Sequence, residues 1–258
     1  MEHIAVTPVM LCFLVCMCTL AGFVDAAAGG GGLISLPAFL FAGLPAHYVY
    51  GTNKFMAACG TTVSTANFFR KGALDLPVAM MAAAGSFAGS ALGARLVLLL
   101  SDSVLKAMLL VILPAAAVVI LWQRNLPDTD RAAAVPLRRR LALALAIGLG
   151  IGCYDGLIGP GTGTFAILAF TAVVGYSMRT AGGNAKVLNL ASNYASLTVY
   201  LLSGLVVFSV ALPCAVGNIC GNLLGSQLAL KKGARFIRPM LGVVLTLLLV
   251  KVGMDMLL

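Results

Sequence analysis

Two lysines carry the most chemical information in this chain. Lys54 stands in Gly51-Thr52-Asn53-Lys54 and Lys186 in Gly183-Asn184-Ala185-Lys186, each flanked by apolar sequence. A lysine and an amide side chain are expensive inside a membrane, so there they mark a functional site by default. One set in each half predicts a pair of cationic, hydrogen-bonding elements around a central anion. Asn67, Asn189, Ser192 and Asn193 lie on the following pieces and are placed to add hydrogen bonds. The competing reading has both lysines snorkel to the interface, with their stems along apolar surface.

Two glycine-rich stretches accompany the lysines. Asp25-Ala26-Ala27-Ala28 runs into Gly29-Gly30-Gly31-Gly32, and Asp155-Gly156-Leu157-Ile158-Gly159-Pro160 runs into Gly161-Thr162-Gly163. Consecutive glycines break a helix, each costing about 1 kcal/mol relative to alanine. Irregular backbone at membrane depth is tolerated only inside protein or along a watery cavity. The helical piece that follows begins with free N–H groups and partial positive charge, which suits an anion. Gly30, Gly31, Gly32, Gly161, Thr162 and Gly163 are therefore candidate contacts. Asp25 and Asp155 are the acidic residues at these interruptions. A carboxylate beside an anion site must be protonated or paired. The two can form ion pairs with Lys54 or Lys186, cap a helix piece, or carry a coupling proton.

The composition requires a membrane setting for these residues. Hydrophobic residues make up 61% of the chain and charged ones 10%, against about 25% charged in soluble domains. Mean hydropathy is +1.04. The net charge of +9 does not indicate nucleic acid, because the basic residues cluster in short connections, as the positive-inside rule expects. The seven cysteines lie in apolar stretches without metal-ligand spacing. Neither a metal site nor a cofactor is implied, and no Walker A pattern indicates ATP use. Residues 4–24 lack the basic flank of a signal peptide and read as a first membrane helix.

The expected elements follow in order. The first is a helix over Ile4–Val24. A short apolar piece at Leu33–Leu44, interrupted by Pro37, leads through a polar turn at Pro45–Lys54 to a second short piece at Phe55–Phe69. Longer segments cover Leu76–Leu100 and Val104–Trp122. A hydrophilic linker, Gln123–Arg140, separates the halves. The pattern then restarts with Leu141–Ile151, Phe165–Val174, a polar turn at Gly175–Lys186, Val187–Leu202, Leu205–Leu230 and Ile237–Leu258. At an offset of 132, Lys54 falls on Lys186, Gly72 on Gly204, and the triplet Gly85, Gly89, Gly93 on Gly217, Gly221, Gly225. The triplets read as close helix packing.

Charge sets the orientation. Arg70-Lys71, the linker arginines and the Lys231–Arg238 cluster share one side only if the first half crosses an odd number of times. The fold expected is an all-α polytopic membrane protein of two inverted repeats, with broken or re-entrant helices and about 8–10 membrane segments. The first repeat covers 1–123, the basic cytoplasmic linker 124–140 and the second repeat 141–258, with both termini outside. If the short pieces form hairpins, the glycines mark the entrances and the Asn-Lys positions the tips.

Across nearly its full length the sequence resembles the sulfite exporter TauE/SafE family of membrane anion transporters, in its YfcA-like branch. The resemblance rests on Gly22-Phe23-Val24-Asp25 with Gly29 to Pro37, Gly51-Thr52-Asn53-Lys54, and Asn67-Phe68-Phe69-Arg70-Lys71-Gly72. In the second half it rests on Tyr154-Asp155-Gly156, Gly159 to Gly163, Asn184, Lys186, Asn189, Ser192 and Asn193. It implies a bacterial inner-membrane permease of small sulfur-containing anions such as sulfite, sulfoacetate or thiosulfate, with a homodimer as the assembly expected of the class. From the residues alone, the expectation is a secondary transporter and not an enzyme. An anion channel is the alternative. An intramembrane aspartyl protease is a weaker one, since Tyr154-Asp155 lacks the Gly-x-Gly-Asp partner motif.

Overall fold

The computed structural model describes residues 6–122 and 130–232. The last expected segment, Ile237–Leu258, and most of the hydrophilic stretch after Trp122 lie outside the described residues. The described residues are helical, without strands. Helix α1 (Pro8–Ala28) is capped by the Thr7 side chain, which accepts from the Met10 N–H, and it closes on Gly29 in the left-handed region. Short helix α2 (Gly32–Phe41) follows, then α3 (Ala46–Arg70), α4 (Leu76–Leu98) and α5 (Asp102–Trp122). A 3₁₀ turn at Ala132–Ala134 precedes α6 (Leu137–Leu157). Short helix α7 (Thr162–Ala169) runs on through one π-helical turn, Phe170–Val174. Helices α8 (Met178–Leu202) and α9 (Phe208–Lys232) complete the described chain.

Three expectations change. The polar turn Pro45–Lys54 is not a turn, because α3 is helical from Ala46. Pro45 supplies a starting φ of −59°, and the next proline comes only at Pro77, so nothing interrupts the helix. Likewise α8 is continuous from Met178, capped by Ser177. Lys54 and Lys186 therefore sit in the third turn of long helices. The break after Asp25 is also shorter than expected. Asp25–Ala28 complete α1, Gly32 opens α2, and the irregular backbone is Gly29–Gly31.

Helix α2 folds back along α1, bringing the Phe13 and Phe41 rings to 5.7 Å edge to face. The glycines are thus the tip of this hairpin, and the corresponding turn between α6 and α7 meets them. The Gly163 N–H donates to the Gly29 carbonyl at 3.1 Å, and the Thr164 hydroxyl donates to Ala28 O. A Cβ at Gly29 would lie 2.3 Å from the Gly163 carbonyl carbon, so the two turns touch backbone to backbone. The expectation that glycines mark entrances and the Asn-Lys positions mark tips is reversed.

Among the described residues four helices, α1, α4, α6 and α9, are long and apolar enough to cross a membrane. They pair across the halves, α4 on α6 and α1 on α9. A Cβ at Gly85, Gly89 or Gly93 would meet the Leu145, Leu149 or Cys153 carbonyl at 2.2–2.5 Å, and one at Gly221 or Gly225 would meet Thr19 or Phe23 O at 2.0–2.2 Å. The triplets do serve close packing. Helices α3 and α8 lie between these pairs, in contact with each other and with α9 and α4 respectively. At one end of the bundle Asp75 accepts from Arg140 at 2.7 Å and from the Tyr176 hydroxyl at 2.5 Å. Burial and that carboxylate hold the Tyr176 phenol well above its usual range.

Candidate functional site

The two lysines meet the two aspartates across the halves. Lys54 Nζ on α3 donates to Asp155 Oδ2 at 2.6 Å and to Asn193 Oδ1 on α8 at 3.2 Å. The Thr162 hydroxyl, opening α7, donates to the other Asp155 oxygen at 2.7 Å. Lys186 Nζ on α8 donates to Asp25 Oδ2 at 3.0 Å and also to the Asp25 carbonyl. Lys54, Lys186 and Asp155 are only 2–3% exposed, which rules out snorkelling. The Asp25 side chain keeps 16% of its surface, so the two pairs are not equivalent.

All of these groups except Lys186 line a cavity of about 30 Å³, room for about two waters at ~10–15 Å³ each. Gly29, Gly31, Gly32 and Ser35 line it from the first tip, with Asp25 from the last turn of α1. Asn53, Lys54, Met56 and Ala57 come from α3; Asp155, Gly159 and Thr162 from the second tip; Asn189 and Asn193 from α8; Asn218 from α9. The N–H groups of Gly31 and Gly32 make no backbone hydrogen bond, as expected of a first helical turn. The Ser35 hydroxyl donates to Asn53 Oδ1 at 2.6 Å, leaving the amide N–H groups of Asn53 for another acceptor. Asn193 Nδ2 donates to Thr61 Oγ1 at 3.1 Å and to Asn189 Oδ1 at 3.4 Å.

The second tip is less open. The Thr162 N–H is taken by Gly159 O and the Gly163 N–H by Gly29 O. Gly161 and Gly163 do not line the cavity, and neither does Gly30. Three further sequence candidates sit elsewhere. Thr52 Oγ1 accepts from the Val207 N–H at 3.2 Å, and Asn184 Oδ1 from the Asp75 N–H at 2.9 Å. The two positions are 132 residues apart, and each tie crosses between the halves: Thr52 on α3 holds the chain entering α9, and Asn184 on α8 holds the chain entering α4. Asn67 Nδ2 donates to Ser226 Oγ at 2.8 Å, toward the end of α3. Lys186 reaches the cavity only through Asp25.

Sequence reasoning missed Ser35, Asn218 and the α9 amide Asn222. The signal for the last two was present: Asn218, Asn222 and Ser226 recur every four residues on one face of an apolar helix. Among the described residues no group of His, Cys, Asp and Glu is arranged to hold a metal.

The model of the sulfite exporter TauE/SafE family matches residues 14–252. The chain belongs to that family. Its relatives include a probable membrane transporter protein, ORF9, of a Sinorhizobium species, 37% identical over 95% of this chain and 93% of the relative. A probable membrane transporter protein of Haemophilus influenzae is 35% identical over 95% of each chain. YfcA of Escherichia coli K12, also named a probable membrane transporter protein, is 34% identical over 97% of this chain and 92% of its own. No solved structure matches significantly. Membership in TauE/SafE and the apolar helices make this a multi-pass membrane protein of a transporter family.

Proposed function

We propose that this TauE/SafE protein is a secondary transporter of small anions, namely sulfur oxyanions or organosulfonates such as sulfite, sulfoacetate or thiosulfate. One observation carries the reading. The free N–H groups at the start of α2 and the Lys54 ammonium line one cavity together with the Asn53 and Asn189 amides. A helix N-terminus facing a buried cation is anion chemistry. The two lysines and two aspartates sum to zero, so an anion must compete with Asp155 for Lys54. An anion that displaces Asp155 from Lys54 adds a negative charge to these balanced pairs, and a proton moving with the anion restores neutrality. Each carboxylate is held by its own lysine, unlike the proton-sharing dyad of an aspartyl protease.

Inverted repeats support alternating access around this site. On this reading residues 1–123 form one repeat and 141–258 the other, related by an axis through the Gly29–Gly163 contact. The cross-packing of α4 on α6 and α1 on α9, and the exchanged Lys–Asp pairs, favour it. The basic ends of α3 and α9 then face the cytoplasm of a bacterial inner membrane.

The test is anion flux into proteoliposomes from a panel of sulfite, thiosulfate, sulfoacetate and simple carboxylates, with and without a pH gradient. The expected result is saturable flux of a sulfur anion, enhanced when protons move in the same direction and lost in Lys54→Ala at normal insertion. Wild-type flux in Lys54→Ala overturns the site. Unsaturable flux with single-channel currents overturns the transporter reading in favour of a channel.

A further inference from the structure

A second cavity lies where α3 and α9 end and α8 begins. Its volume is about 550 Å³, and Asn67, Arg70, Lys71, Arg179, Gln227 and Lys231 line it with Leu230. Among the described residues, four cations and no carboxylate line this groove. The positive-inside rule accounts for the sign of the charge, but not for what lies beneath it. The floor is polar: Asn67 donates to Ser226 on α9. From Ser226 a line of polar side chains runs back along α9 to Asn222 and Asn218, and Asn218 lines the central cavity. At 1.5 Å per residue this line is about 12 Å long.

The facing side of α3 is shaped to admit that line. A Cβ at Gly60 would lie 2.0 Å from Asn218 Oδ1 and 2.4 Å from Asn222 Nδ2. The Asn222 amide donates to Asn218, yet its own oxygen is buried and has no partner among the described residues. A buried unpaired amide oxygen is costly. That oxygen leaves one hydrogen-bond acceptor open on the polar line between the groove and the central cavity.

We propose that the basic groove is an outer anion site, which captures the transported anion at the linker-side face before it reaches the central cavity along the α3–α9 seam. This rests on the reading of the central cavity as an anion site. A groove lined by one sign of charge raises the local concentration of an opposite ion and its rate of entry. Asn67, which the central cavity does not use, belongs to this outer site.

The experiment measures sulfoacetate flux in oriented proteoliposomes of zwitterionic lipid, with the anion presented to either face. In Lys71→Gln/Lys231→Gln, the half-saturating concentration is expected to rise about tenfold at the linker face and less than twofold at the opposite face. The wild-type protein supplies a test that no folding defect can disturb. Raising ionic strength from about 20 to about 300 mM should weaken capture at the linker face and leave the other face nearly unchanged. Equal changes at both faces overturn the proposal. So does a linker-face effect that appears only when anionic phospholipid is present, which would make a lipid headgroup the occupant. If the groove fails while Lys54→Ala still abolishes flux, the central site stands alone. If equilibrium binding of sulfoacetate survives Lys54→Ala but is lost in the groove variant, the outer site stands and the central assignment falls.

Discussion

The Lys54–Asp155 pair sets the terms of this site, because neither partner touches bulk water. Removing one member of a buried pair leaves an uncompensated charge and costs about 3–5 kcal/mol, whereas replacing both with apolar groups is often neutral. Asp155→Ala should therefore destabilise the protein by about 3–5 kcal/mol. The double variant Lys54→Met/Asp155→Leu should recover most of that stability while remaining inactive. Thermal unfolding in detergent, read beside flux, checks both. If the double variant is as unstable as the single, the pair is held by more than its own charge balance. Lys54, Lys186, Asp25 and Asp155 were legible in sequence because an ionisable group amid apolar residues is too costly to keep unless it is paired or at work. Ion pairing among them was one of the readings the sequence allowed, but which lysine meets which aspartate depends on how the two hairpins dock. Thr52 and Asn184 lie away from the cavity and hold incoming backbone. A polar side chain that caps incoming backbone has the same composition signature as one that binds a ligand.

The helices were legible in proportion to their apolar character. Helices α4 and α5 stand close to where hydropathy put them, whereas α3 and α8 were split, because their polar first halves resemble turns. Those halves are helical since Pro45 and Ser177 start them and no later proline stops them. The glycine triplets, read from spacing alone, govern how closely α4 and α6 approach. Gly89→Ala places a methyl 2.2 Å from the Leu149 carbonyl and should prevent the two helices from docking. Gly150→Ala, on α6 with nothing within 4 Å, should be tolerated and should gain up to about 1 kcal/mol of helix stability. Size-exclusion profiles and melting in detergent distinguish the two. Equal behaviour would show that the α4–α6 contact is dispensable.

Across the molecule, charge and contacts agree on two ends. Arg179 reaches the Lys71 carbonyl at 3.4 Å and shares the groove with Lys231, while His47 pairs with Asp102 at 2.7 Å at the opposite end of α3. With the basic end in the cytoplasm, a membrane-impermeant thiol reagent applied to intact cells should label Ser203→Cys, and should label Lys231→Cys only after permeabilisation. These variants are made in a background without the native exposed cysteines, Cys12, Cys16 and Cys220. The reverse pattern would invert the topology. The central helices have a further consequence for synthesis. Helices α3 and α8 carry buried lysines and amides and are not among the segments apolar enough to cross alone. A lysine at mid-bilayer costs about 2.5–3.5 kcal/mol when a helix partitions by itself. Helix α3 emerges from the ribosome long before Asp155 and α9, which neutralise its lysine and cover its polar face. The nascent first half must therefore be sheltered, by the insertion machinery or at the membrane surface, until the second half is made. Assembly order is thus imposed by the same lysine that faces the substrate cavity.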